Sequence, residues 1–231
     1  MLNIKQGDMV KINYTCKTAE DGKIFDTTFE KIAKDNDIFD EKIIYQPFTL
    51  VIGKHRLPVG LEDALIGLKE GDSKTIEVEA KRGFGLRDRS KIRLIQRREF
   101  QKHQIKPKEN AKVEIGGQKG RILKVSSSRV KVDFNHDLAG FDLIYDVGIV
   151  KKVTDIKEQC ICLLEKRLPG VDFSKTKMEI KDKTIIIELP QNTRFMEYIQ
   201  FTRNGLSRDL GEITSKFDRV TFIEHYEIEK K

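Results

Sequence analysis

The chain has 231 residues, enough for one large hydrophobic core or two to three small ones. Charged residues make up 35% and apolar residues 38%, which excludes a disordered chain, and no apolar run approaches the roughly 20 residues that a membrane helix needs. The N-terminus carries Lys5 and Asp8 and lacks the apolar segment of a secretory signal. With an odd number of cysteines (Cys16, Cys160 and Cys162), these features predict reduced thiols and a cytoplasmic location.

The net charge of +7 is concentrated in one segment. Residues 89–136 carry 14 Lys and Arg against 4 Asp and Glu, a net charge of +10. Residues 1–88 carry 14 against 16, and residues 137–231 carry 16 against 17, so both flanks are close to neutral. A step of this kind indicates a module with its own binding partner.

The N-terminal part of the chain is predicted to be rich in β-strands around one short helix. The turn Asp21-Gly22 joins the first two strands into a hairpin. A helix over 60–68 has its apolar residues on one face and Gly67 or Gly71 as its stop, while residues 30–47 are expected to form a long surface loop. The predicted strands are 11–15, 23–28, 48–52, 75–80 and 143–150.

The basic segment is predicted to be a small β-rich module between these strands. Gly116-Gly117 marks one turn, and strands over 121–125 and 129–134 flank a second turn of three serines. The apolar residues of this module are few for an independent core. They include Val113, Ile115, Ile122, Val125, Val130 and Val132.

After residue 153 the pattern changes to that of an α+β domain. The predicted elements are a helix over 155–166, strands over 177–180 and 184–189, a helix over 192–210 and a strand over 219–228. The second helix is expected to cover the sheet with Phe195, Met196, Ile199 and Leu206. A domain this small with an open sheet edge predicts a homodimer formed through residues 154–231. The alternative is a further surface for binding other polypeptides.

Several short motifs follow one another in the first 153 residues. They are INYT with Tyr14, IFDTT with Phe25 and Asp26, FTLVIG from Phe48 to Gly53, GLEDAL from Gly60 to Leu65, and Gly83-Phe84-Gly85. In this order the motifs resemble those of FKBP-type peptidyl-prolyl cis–trans isomerases. The run NHDLAG over residues 135–140, where the chain returns from the basic segment, resembles the SlyD-like branch. The C-terminal extension resembles that of long archaeal-type members.

The resemblance implies an α+β fold with three parts. A twisted antiparallel sheet on a short helix is expected over residues 1–88 and 137–153, as the isomerase domain. An inserted small β domain, the IF domain, is expected over 89–136. A C-terminal α+β domain is expected over 154–231.

The resemblance also implies a shallow apolar pocket between the sheet and the short helix. By position, its lining is Tyr14, Phe25, Asp26, Phe48, Leu57, Pro58, Leu61, Phe84 and Tyr145. Rotation about an X–Pro amide faces a barrier of about 18–20 kcal/mol but breaks no bond, so no nucleophile, metal or cofactor is needed. The twisted amide is less dipolar than the planar one, and a dry aromatic pocket therefore favours it. Asp26 is expected to be a fixed electrostatic partner of the twisted carbonyl or of Tyr14.

Two positions depart from the family pattern. Pro58 falls where the family presents a backbone N–H to the substrate, and Phe84 replaces a tyrosine whose hydroxyl donates a hydrogen bond. A lost contact of this kind costs about 1–3 kcal/mol. We therefore expect catalysis that is weaker than in a member with both donors. The alternative is a holdase chaperone or RNA-associated module with weak or lost isomerase activity.

The expected partners are unfolded or nascent polypeptides that contain proline, since the inserted domain of SlyD-like proteins binds unfolded chains. The rival partner for residues 89–136 is RNA or the ribosome, because basic side chains cluster at the entry of the segment. They are Arg89, Lys91, Arg93, Arg97 and Arg98. Only Phe100 and Phe134 are available there for base stacking, which disfavours RNA. No membrane contact and no metal site are expected, because the histidines are scattered and Cys160 and Cys162 lack partner ligands.

Overall fold

The structure is a computed structural model that describes residues 2–102, 104–226 and 228. Within this range the α+β prediction is confirmed: three sheets, each with its own hydrophobic cluster, are accompanied by short helices. No helix of the described range is long and apolar enough to cross a membrane.

The described residues form mostly antiparallel strands and a smaller number of helices. The strands are β1 (Met9–Thr18), β2 (Ile24–Thr27), β3 (Phe48–Val51), β4 (Ser73–Val78), β5 (Ile92–Gln96), β6 (Lys112–Ile115), β7 (Gln118–Val125), β8 (Arg129–Asp133), β9 (Leu143–Val153), β10 (Lys177–Lys181), β11 (Thr184–Glu188) and β12 (Arg219–Ile223). The helices are α1 (Glu30–Asp35), α2 (Val59–Leu65), α3 (Arg97–Lys102), α4 (Ile156–Arg167) and α5 (Ile199–Ile213).

The first sheet is built on β1, which pairs with β9 along its whole length. The other edge of β1 is shared by β3 and β2, and β4 pairs with the far side of β9. Alternate residues of β1 point to one face, where they pack in one cluster with the buried face of α2. Leu61 and Leu65 of α2 are fully buried there. The predicted hairpin and the strands around it are confirmed.

The second sheet belongs to the basic segment and has the order β5-β8-β7-β6, antiparallel throughout. Its largest fully buried side chain is Phe100 of α3, which packs with Ile122, Val130 and Val132. Strand β5 and helix α3 were not predicted, because charged residues interrupt the apolar pattern of Ile92–Gln96 and Leu94 points to solvent.

The third sheet has the order β10-β11-β12, with β11 and β12 parallel. A parallel pair needs a crossover, and α5 provides it between these two strands. Asp155 caps α4 by accepting a hydrogen bond from the Glu158 amide at 2.9 Å. The predicted hairpin β10–β11 and helix α4 are confirmed.

The third domain packs against the first sheet on the face opposite α2. Met9 of β1 and Val153 of β9 are buried in the cluster of the C-terminal domain. Ion pairs cross the same boundary, including Lys54–Glu212 at 2.9 Å and Lys151–Glu158 at 2.8 Å. The C-terminal domain therefore covers the end of the first sheet that carries Met9 and Val153.

Two predicted elements in the N-terminal part are corrected. Residues 30–47 do not form a loop throughout, since Glu30–Asp35 is helical, with Ala33 buried and Lys34 paired to Glu30 one turn away at 2.5 Å. Helix α2 ends at Leu65, before either predicted glycine stop, because Ile66 is already extended.

The predicted helix over 192–210 is also wrong at its start. Gln191–Thr193 is a short 3-10 turn in which the Thr193 hydroxyl donates to the Pro190 carbonyl at 2.7 Å, and the helix begins only at Ile199. Tyr198 just before it has a left-handed φ of 63°, which interrupts helical geometry. Phe195 is 89% exposed and does not cover the sheet. The closing strand ends at Ile223, and part of its predicted end at residue 227 lies outside the described residues.

Candidate functional site

A cleft of about 990 Å³ lies between the first sheet and the inserted domain. The first domain contributes Cys16, Phe25, Asp26, Phe84 and Tyr145 to its walls. The insert contributes Lys112, Val113, Glu114, Lys119, Gly120 and Phe134, and the return segment contributes residues 135–138. A polypeptide long enough to fill the cleft therefore contacts both domains.

Aromatic rings gather beside this cleft on the inner face of the sheet. Tyr14 lies at the centre, with its ring 6.2 Å from that of Phe48 in an edge-on arrangement and 6.0 Å from that of Tyr145. Phe25 packs on the same cluster and remains partly accessible from the cleft. Tyr14 and Tyr145 share this face because β1 and β9 run side by side in register.

The hydroxyl of Tyr14 donates a hydrogen bond to the Asp26 carboxylate at 2.6 Å. The pair forms because Asp26 of β2 lies directly opposite Cys16 of β1. Cys16 is two residues from Tyr14 on the same strand, so both side chains share one face of the sheet. Burial, followed by the charge of Asp26, raises the pKa of Tyr14 above its usual value, so the tyrosine stays a donor. The result is a carboxylate held in place beside an apolar surface.

The thiol and second phenol of the cleft are also held protonated. Burial raises the pKa of the Cys16 thiol to about 11, so this cysteine is not a thiolate nucleophile at neutral pH. Burial also raises the pKa of Tyr145 above its usual value. This arrangement suits non-covalent binding beside a fixed carboxylate and does not suit covalent attack on a ligand.

A buried carboxylate shapes the loop that leads into α2. Glu62 is 1% exposed and accepts hydrogen bonds from the amides of Gly53 at 2.8 Å, His55 at 3.2 Å and Leu57 at 3.0 Å. The sequence analysis included Glu62 only as part of a motif and assigned it no role. Its position beside Leu61 on a short apolar helix was the available signal, because a buried acid requires donors.

The nine predicted pocket residues occupy three kinds of position. Four line the cleft: Phe25, Asp26, Phe84 and Tyr145. Tyr14, Phe48, Leu57 and Leu61 pack in or on the core of the first sheet beside them. Pro58 is buried at the start of α2, where its carbonyl accepts from the amides of Leu61 and Glu62.

The two chain crossings between the first domain and the insert are tied together by polar contacts. The side chain of Asn135 both accepts from the Asp88 amide and donates to the Asp88 carbonyl, each at 2.9 Å. Arg87 pairs with Asp133, and the Gly140 amide donates to the Gly85 carbonyl at 2.8 Å. Although burial works to raise the pKa of Asp133, the hydrogen bonds from Asn135 and the charge of Arg87 lower it. These contacts hold the insert at a set position beside the cleft.

The return segment also touches the predicted pocket. The ring of His136 stacks on Phe84 with centroids 4.2 Å apart and planes 1° from parallel. Asp137 next to it binds Lys112 at 2.8 Å and Arg121 at 3.1 Å. In the sequence, His136 stood out only as part of the run NHDLAG, and its position at the cleft was not predicted.

The cysteines outside the cleft lie in the C-terminal domain. In the part of the chain that the structure describes, no group of three or more His, Cys, Asp or Glu side chains is arranged to hold a metal ion. Cys160 and Cys162 are buried within α4, and burial raises the pKa of Cys160 to about 12. They act as small apolar residues of the C-terminal core.

Comparisons with known proteins match all three parts of the chain. A family model described as FKBP26, IF domain, matches residues 93–138, and one described as FKBP26 C-terminal matches residues 156–227. A short-type peptidyl-prolyl cis-trans isomerase from Methanocaldococcus jannaschii is 36% identical over 158 residues, covering 68% of this chain and 97% of that protein. A probable FKBP-type 16 kDa isomerase from Pseudomonas fluorescens is 29% identical and covers 64% and 90%, respectively. An FKBP-type isomerase named SlyD from Haemophilus influenzae is 27% identical and covers 57% and 70%.

Proposed function

Because this chain belongs to the FKBP-type peptidyl-prolyl cis–trans isomerases, we propose that it isomerises X–Pro bonds of unfolded or nascent polypeptides in the cleft between its first sheet and its insert. The observation that carries the proposal is the Tyr14–Asp26 hydrogen bond at the edge of an aromatic cluster that opens on this cleft. The relatives named above are isomerases that act on prolyl bonds, and the function is carried to this chain on that basis.

Rotation of the prolyl amide requires stabilisation of a twisted, less dipolar state. In our proposal, the aromatic faces of Phe25 and Tyr145 hold the proline ring and exclude water from it. Asp26 stays fixed by Tyr14 and sets the field that the rotating carbonyl meets. The partly exposed Phe84 forms the facing wall. Each of these residues favours the twisted prolyl amide over the planar one, and no proton or electron pair is transferred.

The insert is proposed to hold the client polypeptide next to this site. Strand β6 is an edge of the insert sheet and lines the cleft with Lys112, Val113 and Glu114, so an extended peptide can pair with its free edge. A segment held there samples its prolines at high local concentration. We propose that the isomerase domain comprises residues 1–88 and 137–153. The inserted domain then comprises residues 89–136, and the C-terminal domain residues 154–231.

RNA or ribosome contact through residues 89–136 stays a prediction that rests on the basic charge alone. One of its two aromatic side chains, Phe100, is fully buried and is not available for stacking on a base. An unfolded polypeptide is therefore the partner we propose for the insert.

Replacing Asp26 by alanine is expected to lower kcat/KM for proline-limited refolding about tenfold, since a hydrogen bond to a charged group contributes about 1.5–3 kcal/mol. Asp26→Asn keeps an acceptor for Tyr14 and is expected to lose less. Asp146→Ala is the matched control, because Asp146 is an exposed carboxylate of β9 that binds Lys17 and Thr75. Refolding of a protein with a slow prolyl phase measures all three. Equal rates for Asp26→Ala and unaltered protein would contradict the assigned role.

We further propose that residues 154–231 form a homodimer. An exposed aromatic surface supports this proposal: Phe195 is 89%, Tyr198 60% and Phe201 64% exposed, and the rings of the last two are 5.9 Å apart. Water-exposed aromatic clusters of this kind are typical of protein interfaces. The described strands β10 and β12 also leave sheet edges free.

The mass in solution, measured by light scattering, tests the dimer. The unaltered protein is expected to be dimeric at micromolar concentration and the double variant Phe195→Ser, Phe201→Ser monomeric. Phe29→Ser, at an exposed site on the first domain, is the matched control and is expected to remain dimeric. A monomeric unaltered protein would contradict the dimer and leave the surface to the alternative, polypeptide binding.

A further inference from the structure

A peptide that enters the cleft brings backbone carbonyl groups that need hydrogen-bond donors. The donors of the pocket are already engaged with partners in the chain. The Tyr14 hydroxyl donates to Asp26 at 2.6 Å, and the Leu57 amide donates to Glu62 at 3.0 Å. The Tyr145 side chain is buried, and Pro58 has no N–H. A donor for the peptide must come from elsewhere in the cleft.

His136 presents such a donor. The Leu138 amide donates a hydrogen bond to Nδ1 of His136 at 3.2 Å, so Nδ1 must carry a lone pair. In a neutral imidazole the proton then lies on Nε2, the other ring nitrogen. Among the hydrogen bonds of the described residues, none involves this Nε2–H group.

The imidazole is also held at the right place. Its plane lies 1° from that of Phe84 at a centroid distance of 4.2 Å, and both side chains line the cleft. The residues on either side of His136 fix the segment, since Asn135 binds Asp88 and Asp137 binds Lys112. The ring is therefore a flat extension of the Phe84 wall that carries a polar hydrogen at the cleft.

We propose that Nε2–H of His136 donates a hydrogen bond to a backbone carbonyl of the bound peptide, which makes His136 a substrate-binding residue of the isomerase site. This inference rests on the proposed function. Among the cleft-lining side chains of the described range, Lys119 is the other one that carries a hydrogen-bond donor with no partner. It extends from β7 on the insert and loses more side-chain entropy when fixed, so His136 is the better donor for a peptide at the pocket.

The test compares kcat/KM on a short X–Pro peptide. His136→Phe retains a ring to stack on Phe84 but lacks the donor, and is expected to lower kcat/KM about fivefold. Adding Phe84→Tyr to that variant returns a hydroxyl donor to the same wall and is expected to restore most of the loss. The variant also removes the acceptor of the Leu138 amide, and Phe84→Tyr does not repair that bond. Phe84→Tyr alone is the reference: its gain in kcat/KM is expected to be smaller with His136 present than in the His136→Phe background, because His136 already supplies a donor. An equal gain in both backgrounds would contradict the role of His136. His225→Phe, an exposed histidine of the C-terminal domain, is the matched control and is expected to leave kcat/KM unchanged.

Three other results would overturn the inference: unaltered activity in His136→Phe, no recovery on adding Phe84→Tyr, or a greater loss in Lys119→Met than in His136→Phe. A measurement on the unaltered protein needs no variant. Imidazole ¹⁵N NMR is expected to show the proton of His136 on Nε2 and a shift of that nitrogen when the peptide binds, whereas a proton on Nδ1 would overturn the inference. If the unaltered protein does not accelerate isomerisation at all, the proposed function fails as well, which distinguishes that failure from those above.

Discussion

Replacing residues 92–133 by a short glycine-serine turn is expected to reduce catalysis of proline-limited refolding of a protein substrate about 100-fold. Linking two binding modules raises affinity by about 10²–10⁴-fold, and the expected loss is the lower end of that range. The same replacement is expected to leave activity on a short proline peptide within about threefold, because such a peptide needs the pocket but not the insert. The structure permits this change, since the Phe134 amide already donates to the Lys91 carbonyl at 3.1 Å and a short turn can join them.

The two substrates serve as controls for each other. A loss on the protein substrate alone is the predicted pattern. An equal loss on both substrates would mean that the replacement had damaged the pocket, for example by breaking the hydrogen bonds between Asn135 and Asp88. Full activity on the protein substrate would contradict the role proposed for the insert.

Glu62→Ala is expected to lower the free energy of unfolding by about 3 kcal/mol or more, because three backbone amides lose a charged acceptor and a hydrogen bond to a charged group contributes about 1.5–3 kcal/mol. This is a large part of the stability of a typical domain, about 5–15 kcal/mol in total. The loop over 53–57 would lose its anchor, so isomerase activity is expected to fall together with stability.

Urea unfolding followed by circular dichroism measures this effect. Glu62→Gln keeps one acceptor oxygen and is expected to lose less stability. Asp63→Ala is the matched control, since Asp63 is the next residue of α2 and pairs with Arg82 on the surface at 2.6 Å, an exposed ion pair that contributes little. If Glu62→Ala is no more destabilising than Asp63→Ala, the buried carboxylate does not have the role assigned here.

The first domain could be predicted well because its pattern is local. Alternation along β1 and β9, the Asp21-Gly22 turn and the apolar face of α2 each indicate one element, and the structure has them. The insert was harder, since the six-residue helix with Phe100 lies among arginines and has no clear periodicity. The start of α5 was missed because Asn192 and Thr193 favour a helix cap but here form a 3-10 turn.

The contacts between domains could not be predicted from the sequence. Met9 lies beside Val10 on β1, and both are buried, but in different clusters on opposite faces of the sheet. Alternation along β1 shows one apolar face, but the face of Met9 continues with Lys11 and Asn13, so nothing in the pattern shows that another domain covers Met9. In the same way, the stack of His136 on Phe84 joins residues 52 positions apart, and only the closed path of the chain through the insert brings them together.

The central claim is that the pocket beside Tyr14 and Asp26 catalyses prolyl isomerisation. The most direct test is exchange NMR on a short proline peptide, comparing cis–trans interconversion with no protein, with the unaltered protein and with Asp26→Ala. We predict that the unaltered protein accelerates the exchange, that Asp26→Ala does so about tenfold less, and that signals of Phe25 and Tyr145 shift on peptide binding. Exchange that stays at the uncatalysed rate, while the protein still suppresses aggregation of an unfolded chain, would contradict the claim and leave a binding module in its place.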